Sequence, residues 1–255
     1  MNRSLKKFLY GFLYLSIVAL VGYGIWNGYI KAPATCADGI KNQRETEIDC
    51  GGECVSCEIK NLAPLEVLGG SSIMGLTNDK AIVLFELYNP NTTQHVGSVT
   101  YRVDILSNND NVMESFDGLT SLYANERKKI IESRVSIPRK SIAGARITLG
   151  TPEWMSVEQY ARPSFAVTDV KGEFAQNGSV RVSGVAKNNS ATTAYDVTLL
   201  AIIYDSYGAR LFASQVVITS LAGFESQAFS VAFPLDAYIK DNVNFGKTEV
   251  YMSSR

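Results

Sequence analysis

The hydrophobic pattern divides the chain into one long apolar segment near the N-terminus and many short β-type runs further on. Phe8 to Ile30 contains 23 residues without a charged side chain, between Lys7 and Lys31. As a helix it would be roughly 35 Å long, enough to cross a bilayer with some tilt. Aromatic residues stand near both ends, which suits the two membrane interfaces. The pattern therefore predicts a transmembrane segment over residues 8–30.

The basic residues around this segment predict its orientation. Arg3, Lys6 and Lys7 precede it and only Lys31 follows it, so residues 1–7 are expected in the cytoplasm and the bulk of the chain outside. Ala32-Pro33-Ala34 fits the small-residue pattern of a signal-peptidase site, although the apolar run exceeds the usual 7–15 or so residues of a cleaved signal. We expect a retained signal anchor, and cleavage after Ala34 is the alternative.

From about residue 62 the pattern changes to short β-type runs. Lys80–Asn89 is rich in apolar and aromatic residues, and Val99–Ile105 alternates between apolar and polar positions. Lys129–Ile137 and Ala145–Leu149 are predicted as further strands. Turn signals separate the runs, at Asn89-Pro90-Asn91, Asn108–Asn111 and Asp117-Gly118.

The same order of runs returns later in the chain. Val180–Val185 corresponds to Ala81–Glu86, and Val197–Asp205 to Val99–Ser107, at an offset of 98 or 99 residues. A chance match between two β patterns is the alternative to an internal repeat. We predict a mainly β protein with two tandem immunoglobulin-like antiparallel β-sandwiches of about seven strands each, at 62–151 and 165–255.

A polar stretch near Thr151–Ser164 separates the two predicted sandwiches. Pro152 and Pro163 interrupt β structure there. Two aromatic residues of the stretch, Trp154 and Tyr160, are expected to pack between the domains.

Four cysteines, the complete set of the chain, fall within 22 residues at Cys36, Cys50, Cys54 and Cys57. Outside the cytoplasm they predict a disulfide-bonded module over residues 36–57. Three pairings are possible, and those that tie Cys36 to the later cysteines are favoured. Two alternatives remain: a zinc site of four thiolates, and a calcium site of carboxylate and amide oxygens. The oxygen ligands would come from Asp38, Asn42, Glu45, Glu47 and Asp49.

The stretch from Cys36 to Cys57 resembles a short module of prokaryotic surface and secreted proteins. Its pattern Cys-x-Asp-Gly, Asn, Glu-Thr and Asp-Cys-Gly-Gly-x-Cys-x-x-Cys is matched across all 22 residues. The resemblance implies a disulfide-bonded spacer outside the cell.

Both β units also resemble known families. Leu87–Asn91 is similar to the Asn-Pro-Asn region of LEA-type (water-stress) immunoglobulin-like domains. Ala201–Asp205, followed by Gly208, resembles the strand end of the prokaryotic FxLYD domain, with Ala in place of Phe and Ile in place of Leu. These resemblances imply an antiparallel sandwich outside the cytoplasm with a binding or spacing role.

Composition and charge narrow the functional classes. The net charge of -1 argues against nucleic-acid binding, and a single histidine excludes a His-pair metal site. His95 is expected to be an exposed polar residue in a loop. Nucleophile, P-loop and dinucleotide-binding motifs do not occur. Asn91, Asn177 and Asn188 fit the N-glycosylation pattern.

We therefore expect a membrane-anchored extracytoplasmic protein with a structural, adhesive or protein-interaction role and no enzymatic activity, cofactor or metal. Its expected partners are the lipid bilayer and a protein or a second copy, with neither nucleic acid nor a small-molecule substrate. One alternative is a hydrolase that uses a pair of carboxylates. The other is a pilin-like envelope subunit, suggested by Gly11-Phe12, although Ser16 stands where bacterial pilins carry Glu.

Overall fold

The computed structural model describes residues 3–30, 35–77, 80–175, 179–233 and 242–254. The chain forms two compact units, Met1–Leu62 and Ala63–Arg255. The first unit contains the apolar helix and the cysteine module. The second contains the β structure.

The N-terminal helix α1 spans Arg3–Ile25 and continues as a π-helical turn over Trp26–Ile30. None of the residues of α1 is buried against protein. The polar hydroxyl of Ser16 donates a hydrogen bond to the carbonyl of Phe12 at 2.9 Å, so it adds little polar surface to the helix. The span from Arg3 to Gly28 is long and apolar enough to cross a membrane, and a signal sequence would share these properties. Ala32–Ala34 lies outside the described residues.

A short helix α2, Cys57–Lys60, closes the first unit. Ser56 caps it, because its hydroxyl accepts a hydrogen bond from the backbone N–H of Ile59 at 3.3 Å.

The second unit consists of strands β1 to β13. Their bounds are Glu66–Thr77, Lys80–Tyr88, Gln94–Leu106, Val112–Leu122, Arg127–Glu132, Gly144–Leu149, Glu153–Ser156, Phe165–Phe174, Val180–Asn188, Ala194–Asp205, Arg210–Leu221, Ser226–Phe233 and Val243–Ser253.

These strands form two sandwiches with the same strand order. In the first, the sheet β1-β2-β5 faces the sheet β4-β3-β6, to which β7 adds by pairing with β3. In the second, β8-β9-β12 faces β11-β10-β13. All strand pairs are antiparallel. The mainly β fold class is confirmed, with seven strands described in the first sandwich and six in the second.

The central strand β2 is buried on both faces. Val83 and Phe85 point into the core of the first sandwich. Ile82 and Leu84 point to the other side, where they join one apolar cluster with the second sandwich. Since side chains alternate along a strand, this burial explains why apolar residues occupy both parities of the KAIVLFELY run. The two sandwiches are thus stacked back to back.

The first sandwich extends beyond its predicted end at residue 151. Strand β7 pairs with β3, where Val96 lies opposite Trp154. The indole packs against the core of the first sandwich. The prediction that Trp154 packs between the domains is therefore wrong, because β7 returns the chain to the first sheet. Tyr160 stacks on Tyr123 of the same sandwich, with ring centroids 6.0 Å apart.

The predicted turn at Asp117-Gly118 is also wrong, because both residues lie inside β4. The ring of Tyr101 lies over Gly118 so closely that a Cβ there would clash with it. The glycine therefore serves packing rather than a turn. A turn does follow Asp205, whose carboxylate accepts hydrogen bonds from the N–H groups of Tyr207 and Ala209.

Candidate functional site

The cysteine module is held by two disulfides. Cys36 pairs with Cys54 and Cys50 pairs with Cys57, with Cα–Cα distances of 5.6 Å and 4.8 Å. Gly51 and Gly52, both at positive φ, form a short loop between Cys50 and Cys54. This pairing is among those that tie Cys36 to the later cysteines. Since every cysteine sulfur is bonded to another, none remains as a thiolate for the alternative zinc site.

The acidic residues of the module accept hydrogen bonds from its own backbone. Asp38 accepts from the N–H groups of Thr35 and Ile40, and the first of these bonds is the main reason that the pKa of Asp38 lies below its ordinary value. Glu45 is buried and accepts from the N–H of Asp49 at 3.0 Å. In these contacts the carboxylates cap turns of the module. The contacts give the calcium alternative no support.

A buried asparagine organises one end of the first sandwich. The side-chain amide of Asn89 donates to the carbonyl oxygens of Gln94 and Tyr123, at 2.9 Å and 3.1 Å. Its side-chain oxygen accepts from the backbone N–H of Asn91 at 3.1 Å. Glu126 adds a further contact, because its carboxylate accepts from the N–H of Tyr123 at 2.7 Å. We call this set, Asn89, Asn91, Tyr123, Asn125 and Glu126, the first corner. One side chain thus joins β2 to the two loops that follow β2 and β4.

The second sandwich repeats this corner. Asn188 donates to the carbonyl oxygens of Thr192, Leu221 and Ala222, at 2.8 to 3.1 Å. Its side-chain oxygen accepts from the N–H of Ser190 at 2.9 Å.

The two corners correspond residue by residue at an offset of 99. Glu225 accepts from the N–H of Ala222 just as Glu126 does from Tyr123. Three other pairs keep the same offset: Asn89 with Asn188, Asn91 with Ser190, and Asn125 with Phe224. This offset agrees with the internal repeat predicted from the sequence.

The corners change the interpretation of two N-glycosylation patterns. Asn188 is fully buried, and the amide nitrogen that a glycan would need is hydrogen-bonded to three carbonyls. Asn91 uses the same atom to donate to the carbonyl of Ala63 at 2.9 Å. Both side chains are structural in the folded protein. Asn177 lies outside the described residues.

His95 is not the exposed loop residue that the sequence predicted. It lies in β3 and is buried. Its Nδ1 accepts a hydrogen bond from the N–H of Ala124 at 2.7 Å, and its Nε2 lies 2.7 Å from the carbonyl oxygen of Tyr160. These partners require the neutral ring with its proton on Nε2. The imidazole therefore connects the first corner to the segment that leads to the second sandwich.

A charged network crosses from the first sandwich to the second. Lys129 binds the carboxylate of Glu86 at 3.0 Å, and its ammonium lies 3.9 Å from the ring centroid of Tyr251. Tyr251 and Tyr204 both donate to Glu249, at 2.5 Å and 2.6 Å. Burial opposes a charge on Glu249, but the hydrogen bonds from the two tyrosines outweigh it and hold its pKa below the ordinary value.

The network joins side chains of β2 and β5 in the first sandwich to side chains of β10 and β13 in the second. Burial, and then the adjacent carboxylate, raise the pKa of Tyr251, so its hydroxyl keeps the proton that it donates to Glu249. Glu86 and Glu249 are thereby each occupied by a donor from the protein.

A polar cleft of about 420 Å³ lies beside this network, between the two sandwiches. Hydroxyl and amide groups and two ammonium groups line it, from Thr120, Ser121, Lys128, Lys129, Thr198 and Gln215. The hydroxyl of Ser121 is buried there without a hydrogen-bond partner. The cleft can offer hydrogen bonds to water or to a small polar solute.

Comparison with known proteins yields no family assignment. No family model matches the chain, and no curated protein matches it. A solved exo-chitosanase, CsxA of Amycolatopsis orientalis, aligns over 73% of this chain and 26% of its own, at 13% identity and a TM-score of 0.26. The tandem CBM22-1-CBM22-2 domains of Paenibacillus barcinonensis Xyn10C align over 75% of this chain and 86% of their own, at 8% identity and a TM-score of 0.16. The chain thus spans about a quarter of the chitosanase. At these TM-scores neither similarity carries a fold or an activity over to this protein.

Proposed function

We propose that this protein is a single-pass membrane-anchored protein that holds a stiff pair of β-sandwiches outside the cytoplasm for contact with other envelope components. The observation that carries the proposal is a disulfide-bonded module directly following an apolar helix. Disulfides persist in oxidising compartments, which supports an extracytoplasmic position for everything after the helix. The three basic residues of α1 that precede its apolar run support a cytoplasmic N-terminus.

The back-to-back sandwiches support a structural or interaction role. Burial of both faces of β2 and hydrogen bonds at both corners favour a body with little internal motion. Such a body presents its sheet edges and end loops in fixed positions. Edge strands β4 and β8 carry exposed apolar side chains, at Leu119 and Val170, where a strand of another chain could add. The resemblance to LEA-type and FxLYD domains fits the same role.

Protease added to intact cells or spheroplasts is expected to remove residues 36–255 and leave a fragment that contains α1. The physical reason is the basic N-terminal flank, which favours retention of residues 1–7 in the cytoplasm. Immunodetection of tags at the two ends of the chain measures the outcome. A cytoplasmic marker protein that stays intact is the control. Complete protection of the C-terminal tag, together with cleavage of an exposed surface protein, would reverse the orientation.

The interaction role is tested against the hydrolase alternative. On intact cells, a lysine-reactive crosslinker is expected to join the body to a protein partner or to a second copy. The purified protein is expected to show no turnover of glycoside, ester or peptide substrates, because its sequence has a single histidine and none of the nucleophile motifs of such enzymes. Turnover that disappears in Glu86→Gln or Glu249→Gln, and persists in the exposed control Glu173→Gln, would instead establish the enzyme.

A further inference from the structure

One residue of the second corner is unfavourable for stability. Phe224 has φ of 61°, in the left-handed region, and its side chain is 66% exposed. Bulky residues rarely adopt this conformation, whereas asparagine tolerates it. Asn125 occupies the equivalent position of the first corner, with φ of 53°. An exposed phenylalanine in strained backbone, where the repeat has the favourable residue, calls for an explanation outside folding.

The backbone around Phe224 is tightly held. Its N–H donates to the carbonyl of Ser190 at 3.1 Å. The preceding Gly223 lies against the backbone of Ala191, so closely that a Cβ would clash with it. The phenyl ring is therefore presented from a rigid loop. Tyr195, at the start of β10, adds a second aromatic side chain close to this corner and is 61% exposed.

Both corners lie at the same end of the second unit. The connecting segment starts at the first corner, where the N–H of Val157 donates to the carbonyl of Thr93 at 3.1 Å. It ends at the second corner, where the N–H of Asn189 donates to the carbonyl of Ser164 at 2.7 Å. Tyr123 of the first corner also lies 3.0 Å from the hydroxyl of Ser254, at the end of β13.

The chain also enters the second unit at this end. Ala63 is bound on both sides of its backbone by Asn91, since its N–H donates to the asparagine oxygen at 2.9 Å and its carbonyl accepts from the asparagine nitrogen. The segment that arrives there comes from the apolar helix. The Cys36–Cys54 disulfide holds the two ends of an 18-residue stretch of this tether 5.6 Å apart. The whole path from Ile30 to Ala63 is therefore at most about 60 Å long.

Several of the exposed side chains at this end are of types that suit a membrane interface. Phe224, Tyr195 and Tyr160 supply exposed aromatic rings, and Met155 and Arg162 lie close to Tyr160 in the chain. Aromatic rings and arginine are favoured where an apolar phase meets water. A tether of this length also keeps the local lipid concentration high, so a weak contact suffices.

We infer that the corner end of the second unit, led by Phe224, contacts the lipid surface in which the helix is anchored. The inference rests on the proposed membrane anchor. The occupant is the headgroup and upper acyl region of the bilayer. The opposite end, with the turn at Tyr207, then faces away from the membrane, about 40 Å further along β10.

The first test uses the full chain reconstituted into vesicles of phosphatidylcholine and phosphatidylglycerol. Phe224→p-benzoylphenylalanine is illuminated, and covalent adducts are identified by mass spectrometry. The matched control is Tyr207→p-benzoylphenylalanine, because Tyr207 is 94% exposed at the other end. We expect at least fivefold more lipid adduct at position 224. Equal lipid labelling at both positions, or adducts to a second protein chain at 224, would overturn the inference.

A vesicle control separates this inference from the proposed function. If the protein fails to float with vesicles after alkaline washing, the membrane anchor itself is wrong, and the inference falls with it. If the protein floats but position 224 forms no lipid adduct, the anchor stands and only the lipid contact is wrong.

A second test addresses the strain. Phe224→Asn places the residue of the first corner in the second, and we expect the melting temperature to rise by about 2–4 °C. In the same background, lipid labelling from Tyr195→p-benzoylphenylalanine is expected to fall severalfold. A lower or unchanged melting temperature would show that the phenylalanine costs no stability, which removes the reason to assign it a contact.

Discussion

Asn188→Ala is expected to lower the melting temperature by about 10 °C. The substitution leaves the carbonyl oxygens of Thr192, Leu221 and Ala222 and the N–H of Ser190 without the partner they share, at a position where the asparagine is fully buried. Unpaired buried groups cost roughly 1–3 kcal/mol each, and partial relaxation brings the total to about 4 kcal/mol. For a unit of this size that loss corresponds to about 8–16 °C. Thermal unfolding followed by circular dichroism measures it.

The adjacent Asn189 provides the control, because its side chain is exposed and only its backbone takes part in the corner. Asn189→Ala is expected to change stability by no more than about 0.5 kcal/mol. Similar melting temperatures for the two variants would show that the corner contributes little.

Leu200→Asn is expected to destabilise the second unit by about 4 kcal/mol. Leu200 is 3% exposed in β10, on the face that a solitary sandwich would turn to solvent. The face is identified by Thr198, which lies two residues earlier and lines the cleft between the sandwiches. The variant loses apolar burial and places an amide where few partners exist. Guanidinium unfolding curves measure the loss.

Val217→Asn is the matched control. Val217 lies directly opposite Thr198 in the neighbouring strand, so it shares that face, but it is 51% exposed at the cleft. We expect it to cost less than about 1 kcal/mol. Equal losses would indicate that burial of Leu200 between the sandwiches adds no stability, and that the two sandwiches do not stabilise each other.

Sequence patterns predicted the bounds of the strands better than they predicted the packing contacts of individual residues. The strands over 80–88 and 144–149 occur close to their predicted bounds, because both are marked by dense β-forming residues. Gly118 was misinterpreted, since a glycine inside a strand and a glycine in a turn give the same local signal. Only the ring of Tyr101, which comes from a neighbouring strand, distinguishes the two cases.

In the candidate sites, too, the sequence indicated the residue types but not their partners. The clustering of four cysteines predicted a disulfide module, but the choice of partners depended on how the loop of Gly51 and Gly52 folds. His95 carried no pattern that revealed its burial, because its partners come from Ala124 and Tyr160, far along the chain. Nor did the sequence reveal the strained Phe224, although the offset of 99 residues could have pointed to it by alignment with Asn125.

The sequence by itself determined an apolar N-terminal helix, a compact cysteine module and two β units of similar order. Each of these follows from interactions between residues close in the chain: apolar run length, cysteine spacing and side-chain alternation. Only the tertiary structure decided that β2 and β10 are buried on both faces, and that the side-chain amides of Asn91 and Asn188 are hydrogen-bonded within the corners. Burial and hydrogen-bond partners depend on which distant strands meet, and a local pattern does not contain that information.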